Sequence, residues 1–261
     1  MVHLPIRLVT FDALYTLIVP RLPVHVQYSQ VFAPHLGVLD PGDIRRSFRV
    51  AFRALETEQP VYNKGSQTWW SEVIKRTALG AGANAKDLDA SLPKIVASLM
   101  SRFSSKEGYR AFPDAIPTIH HLRTEMNIFT AVVSNADPRV RTALHDLGFP
   151  SWLEPIVLSE EEGIEKPSPE IFRRTIARAN LVSKHLGHVP IRPTECLHVG
   201  DEILSDYHGA LTAGMRALLL TRPGPDGERA HKTPVTSEGT PADVVEDLES
   251  VIQWVKDHNG A

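Results

Sequence analysis

An aspartate, a serine, a lysine and a pair of aspartates fall just beyond runs that read as buried β-strands. Asp12 follows Arg7–Phe11 (RLVTF), with Thr16 four residues on, and Ser134-Asn135 closes Ile128–Val133. Lys166 stands in Glu165-Lys166-Pro167-Ser168-Pro169 beyond Ile156–Leu158, and Gly200-Asp201 follows Leu197–Val199 with Asp206 five residues later. Open α/β sheets bind ligands outside the C-terminal ends of their strands, so these positions converge. Taken singly, each has an ordinary structural use as a turn residue, a helix cap or a solvated charge. Chemically compatible residues at successive strand ends are hard to explain that way. A carboxylate such as Asp12 can attack phosphorus if Mg²⁺ shared with Asp201 offsets the repulsion between two anions. Two carboxylates and a backbone carbonyl suit that ion's preference for oxygen. Ser134 and nearby N–H groups would hold the equatorial phosphoryl oxygens, and Lys166 would neutralise charge on the nucleophile and the transferring group.

The elements that must position these residues alternate. Arg7–Phe11 is nearly all apolar and β-branched or aromatic, as a strand buried on both faces of a parallel sheet requires. The next stretch contains no convincing strand. Val24, Tyr28, Val31, Phe32 and Leu36 recur at helical spacing, as do Ile44, Phe48, Phe52 and Leu55 after Asp40-Pro41-Gly42. Ser66 is expected to cap a third helix carrying Trp69, Trp70, Val73 and Ile74, and Leu92, Ile95, Val96, Leu99 and Phe103 stripe a fourth. After Gly108 helices near Pro113–Thr124, Pro138–Leu147 and Pro169–Ala179 separate the strands named above. Ala217–Leu220 gives another strand, and a final amphipathic helix is expected to carry Val244, Val245, Leu248, Val251, Ile252 and Val255. The expected fold is α/β: a doubly wound, Rossmann-like parallel sheet with an inserted all-helical domain. Residues 1–18 and 106–261 would form the core and 19–105 the insertion. The polar run Arg222–Thr240 reads as a surface loop.

Composition removes several function classes. Lys plus Arg is 28 and Asp plus Glu is 31, so a net charge of −3 gives no bulk attraction to nucleic acid or an anionic membrane. The lone Cys196 excludes an internal disulfide framework and a Cys-cluster zinc site. No run of about 18 apolar residues is present to cross a membrane, and Met1–Arg7 lacks a secretory apolar segment. A cytoplasmic protein is the default expectation, with nucleus and organelles left open and the oligomeric state unread.

Phe11-Asp12, Thr16, Val133-Ser134-Asn135, the run from Glu165 to Phe172, and Val199-Gly200-Asp201 with Asp206 resemble the four motifs of the haloacid dehalogenase (HAD) superfamily of hydrolases. They do so in order and over nearly the whole chain. The helical insertion resembles that superfamily's type-one cap. Trp69-Trp70 and the segment GDEILSDYHGALTAGM (Gly200–Met215) are similar to the haloacid dehalogenase-like hydrolase domain-containing protein 3 group. The resemblance implies Asp12 as nucleophile, Ser134 as phosphate-binding hydroxyl, Lys166 as charge stabiliser and Asp201 as metal-binding acid. Asp206 would be the second acid of the fourth motif, orienting metal-bound water or Lys166. Thr16 and Asn135 would support substrate binding. The implied partner is a small phosphorylated metabolite, and the implied cofactor Mg²⁺, held by Asp12, Asp201 and the backbone carbonyl of Leu14.

One position departs from the pattern. Phosphatases of this superfamily carry Asp two residues after the nucleophile, where it protonates the leaving group and then activates water; here that residue is Leu14. Loss of a general acid–base costs about 10² to 10⁴ in rate. Asp137 is a candidate replacement but also fits as a cap for the helix near Pro138; Glu160–Glu162 read as a solvated acidic turn or partners for Lys166, and Tyr15 titrates too high. Two alternatives accompany the phosphatase expectation: a catalytically weakened binding or regulatory protein, and a 2-haloacid dehalogenase-like hydrolase. The paired acids weigh against the latter, since they would repel Asp12 without a cation. His120, His121, His198 and His208 form no ligand cluster and read as structural or surface residues.

Overall fold

The computed structural model describes residues 4–185, 187–222 and 242–260. Beyond Arg222 itself, the expected loop to Thr240 lies outside the described residues. The chain opens with β1 (Leu8–Phe11) and β2 (Ile18–Pro20), then passes through α1 (Val24–Leu36), α2 (Pro41–Glu58), α3 (Ser66–Gly80) and α4 (Ala85–Arg102). β3 (Tyr109–Ala111) pairs with β2 in a two-stranded sheet, and α5 (Ala115–His120) runs on into a π-helical turn at His121–Glu125. Alternation follows: β4 (Phe129–Ser134), α6 (Arg139–Asp146), β5 (Ile156–Leu158), α7 (Ser159–Glu162), α8 (Pro169–His185) and β6 (Cys196–Gly200). A π-helical segment, Ile203–His208, leads into α9 (Gly209–Thr212), and β7 (Arg216–Leu220), β8 (Val244–Val245) and α10 (Glu249–Gly260) complete the chain.

Two compact units result. One comprises Met1–Val19, Ala111–Asn135 and Gly148–Ala261; the other Pro20–Arg110 and Ala136–Leu147, so α6 groups with the helices. In the first, six parallel strands take the order β5-β4-β1-β6-β7-β8. The chain turns back across β1, which lies between β4 and β6, and a ligand crevice forms at such a reversal. Leu8, Ala131, Val133, Val157, Phe172, Leu219 and their neighbours pack as one buried cluster, as a sheet covered on both faces demands. Register places Phe11 level with both Val132 and Val199, which sets Asp12 between the ends of β4 and β6.

The helical unit is built on aromatic contacts. Tyr28 meets Phe32 and Phe48 edge to face at ring-centroid distances of 5.6 and 5.3 Å, and Phe52 meets Trp69 the same way at 5.2 Å. Asp40 caps α2 by accepting from the Asp43 amide at 2.9 Å, with Pro41 at the first helical position.

Three local expectations fail for identifiable reasons. Val244 and Val245 form a strand paired with Leu219 and Leu220, not the start of the last helix; two adjacent β-branched residues suit a ladder. Ser66 is the first residue of α3, and the cap position before it belongs to Gly65, whose φ of 85° turns the chain into the helix. α8 continues past Ala179 to His185, since no Pro or Gly interrupts that stretch.

Candidate active site

Parallel pairing brings three of the sequence-selected residues side by side. Asp12 emerges immediately beyond β1, Ser134 is the last residue of β4, and Gly200 ends β6 just before Asp201. Adjacent strands lie about 4.8 Å apart, so side chains at neighbouring strand ends meet directly. Lys166 arrives from the segment after α7, and its backbone is pinned by Asn135. The Asn135 amide accepts from Lys166 N at 2.7 Å and donates to Lys166 O at 2.9 Å. Asn135 thus uses both faces of its amide to seat Lys166.

The side chains then converge on Asp12. Its Oδ1 accepts from Ser134 Oγ at 2.9 Å and from Lys166 Nζ at 2.6 Å. Asp12 Oδ2 has no hydrogen bond among the described residues. Lys166 Nζ also donates to Asp206 Oδ1 at 2.6 Å, so one ammonium bridges two carboxylates. Burial pushes toward loss of the Lys166 proton, but Asp12 and Asp206 outweigh it and hold the pKa above the ordinary lysine value. Burial likewise opposes ionisation of Asp206, yet Lys166 and then His198 hold its pKa below the usual carboxylate range.

Asp206 is fixed on every side. Its Oδ2 accepts from Glu202 N at 2.9 Å, its Oδ1 also contacts His198 Nε2 at 3.1 Å, and its side chain lies close against Gly200. A Cβ at position 200 would stand 2.3 Å from Asp206 Cγ, so only glycine fits there. Carboxylate oxygens of Asp12, Asp201 and Asp206 all lie within 4.8 Å of one another, and all three residues are buried. Lys166 bonds to two of these three buried carboxylates, Asp12 and Asp206, and the all-oxygen set suits a hard divalent cation.

The remaining candidates fall differently. Leu14 is half-buried in a tight turn in which Leu17 N and Ile18 N both donate to Ala13 O, at 2.9 and 3.0 Å; Tyr15 takes φ 64°, a left-handed conformation that costs a bulky residue. Thr16 is fully buried, with no partner for its hydroxyl among the described residues, and its carbonyl accepts from Arg222 Nη2 at 3.0 Å. Asp137 is locked in the helical unit: Arg139 Nε and Nη2 donate to its two oxygens at 2.8 and 2.6 Å, and Trp70 Nε1 donates at 2.8 Å. Burial opposes its ionisation, but Arg139 prevails and its pKa falls below the ordinary value. A carboxylate so held is a poor proton donor. It also accepts from Arg139 N at 3.0 Å, serving the first turn of α6. Glu162 pairs with Arg174 and Arg178. Trp69 is core, whereas Trp70 is half-buried beneath the Arg139 guanidinium, 4.7 Å from its ring centroid. Arg53 and Lys64 are exposed.

Sequence reasoning missed Thr10 and His198, which are register partners on β1 and β6 and hydrogen-bond each other behind Asp206. A histidine inside an otherwise apolar strand was the available signal.

A doubly wound parallel sheet presents a buried aspartate, a bridging lysine and a pair of acids at its reversal point. A family model described as haloacid dehalogenase-like hydrolase matches residues 6–214, and the chain belongs to that family. It is 33% identical over 222 residues to haloacid dehalogenase-like hydrolase domain-containing protein 3 of Mus musculus, covering 84% of this chain and 83% of that protein. Among solved structures it is similar to YfnB, a HAD hydrolase from Bacillus subtilis solved bound to magnesium, with TM-score 0.67, 15% identity and coverage of 97% and 99%. It is also similar to the L-2-haloacid dehalogenase of Xanthobacter autotrophicus, with TM-score 0.60, 17% identity and coverage of 96% and 98%. Both show the fold alone. Among the described residues no helix is long and apolar enough to cross a membrane.

Proposed function

We propose that this HAD-family hydrolase is a Mg²⁺-dependent phosphatase of a small phosphorylated metabolite, working through an aspartyl-phosphate on Asp12. One observation carries it: Asp12 Oδ1 is held by Ser134 and Lys166 while Oδ2 has no hydrogen bond among the described residues, so one oxygen is anchored and the other is available to attack. Asp12, Asp201 and the carbonyl of Leu14 would hold the ion; Asp206 is committed to Lys166, His198 and Glu202. Bound there, Mg²⁺ supplies the positive charge that lets a phosphate dianion approach a carboxylate.

Asp12 Oδ2 forms the bond to phosphorus as the ester P–O bond breaks and its electron pair leaves with the alcohol oxygen. Ser134 Oγ and Lys166 Nζ turn part of their donation from Asp12 to the phosphoryl oxygens, where charge spreads in the transition state. Leu14 cannot protonate the departing oxygen, and Asp137 is engaged with Arg139. The leaving group therefore departs as an anion or takes its proton from solvent, which favours groups that are already weak bases. The second half-reaction, attack of water on the aspartyl-phosphate, also lacks a base at position 14 and is slow. Phosphate release from an aryl phosphate, with and without Mg²⁺ and with Asp12→Asn as control, tests the proposal. Turnover in wild type no greater than in Asp12→Asn across a broad phosphate panel sinks it.

A further inference from the structure

We infer that His198, backed by Thr10, is the positioning residue that keeps Lys166 on Asp12, acting through Asp206. This rests on the role just given to Lys166. His198 sits in the middle of β6 with no exposed surface, and its face of the strand is that of Cys196 and Gly200. A polar ring buried there is tolerated only if both nitrogens are satisfied, and both are. Nε2 lies 3.1 Å from Asp206 Oδ1, and Nδ1 lies 2.8 Å from Thr10 Oγ1. A carboxylate oxygen only accepts, so Nε2 carries the proton. Nδ1 of the neutral ring then accepts from the Thr10 hydroxyl, which stands opposite it across the β1–β6 ladder. Phe172 closes the ring's edge at 5.0 Å between centroids.

The consequence is felt at Lys166. Asp206 Oδ1 serves two side-chain donors, Lys166 Nζ and His198 Nε2, while Oδ2 is taken by Glu202 N. The imidazole N–H draws off part of the charge on Oδ1 and sets the plane of the carboxylate. Without it, Lys166 is the one remaining side-chain donor to Oδ1 among the described residues, and the ammonium is drawn from Asp12 toward Asp206. A histidine that merely filled space would be replaceable by any ring of similar size; a donor aimed at Oδ1 is not.

Three variants and the wild type separate these roles. In ¹⁵N-lysine-labelled protein, the buried Lys166 ammonium signal, assigned by its loss in Lys166→Met, should shift or broaden in His198→Phe. It should stay in place in His198→Gln, whose amide nitrogen can reach where Nε2 stands. With an aryl phosphate and Mg²⁺, His198→Phe should lose about tenfold or more in kcat, with KM changed less than about twofold and His198→Gln keeping at least about a third of wild-type kcat. Phe and Gln behaving alike, or a Lys166 signal indifferent to His198→Phe, overturns the inference. If wild type does not turn over, the phosphatase reading has failed and the ammonium signal alone decides. If His198→Phe does not fold, ¹⁵N-histidine shifts of the wild type decide instead: a proton on Nε2 with Nδ1 accepting supports the inference, and the opposite tautomer overturns it.

Discussion

Asp206 and Lys166 form a buried ion pair, Oδ1 to Nζ at 2.6 Å, and the same ammonium reaches Asp12 Oδ1 at 2.6 Å. Neither side chain of the pair is more than 2% exposed, so neither charge has water to fall back on. Removing one partner of such a pair leaves the other uncompensated, which costs about 3 to 5 kcal/mol. Lys166→Met should lower stability by about that much. It should also lower turnover by about 10²-fold or more, because a donor to the reacting group is lost. Thermal denaturation and steady-state kinetics check the two effects. A Lys166→Met protein as stable and active as wild type would deny the bridge its importance.

Restoring the acid should restore rate. Leu14→Asp places a carboxyl two residues after the nucleophile and should raise kcat/KM by about 10² to 10⁴. The gain should be larger for an alkyl phosphate, whose leaving oxygen needs a proton, than for an aryl phosphate. An equal gain on both, or none, would show that proton transfer does not limit this enzyme.

Asp137 should matter to stability and not to chemistry. Its pKa is depressed by Arg139 in the folded protein, so it contributes stability that is present above the ordinary aspartate value of about 3.9. That contribution is lost as pH falls through the lower folded value. Asp137→Asn should therefore be less stable than wild type at neutral pH, with the gap closing as pH drops below the ordinary aspartate value of about 3.9, and turnover should stay within about twofold. Denaturant melts across pH follow the first effect. A fall in turnover of the size expected for a lost general acid would reinstate Asp137 as the proton donor.

Gly200→Ala should disable the site without unfolding the sheet. The added methyl meets the Asp206 side chain at 2.3 to 2.6 Å, so Asp206 must move and Lys166 with it. Overpacking of this kind costs about 1 to 3 kcal/mol. Circular dichroism should stay native while turnover drops. Full activity in Gly200→Ala would mean that the Asp206 position is not needed.

Much of this arrangement was legible because strands buried on both faces read plainly in sequence. RLVTF and the runs ending at Ser134 and Gly200 had to be central strands, and once parallel order was assumed Asp12, Ser134 and Asp201 had to meet. What escaped were features set by tertiary partners. Val244 and Val245 fitted a helical stripe by spacing, and only pairing with β7 makes them a strand. Asn135 looked like a ligand-binding amide, but its partner is the backbone of Lys166, 31 residues away. Arg139 drew no notice on α6, because nothing local marks it as the clamp on Asp137 and Trp70. His198 passed for a structural histidine, since its role needs Asp206 and Thr10 brought to opposite sides of one ring.

The most direct test is to trap the covalent intermediate. Wild-type protein mixed with an aryl phosphate and Mg²⁺, then quenched in acid, should carry one phosphoryl group on the peptide containing Asp12. Slow hydrolysis without an acid–base at position 14 should let that species accumulate, and omission of Mg²⁺ or the Asp12→Asn change should abolish it. Phosphate released with no label ever found on Asp12, or label found equally in Asp12→Asn, would contradict catalysis through this aspartate.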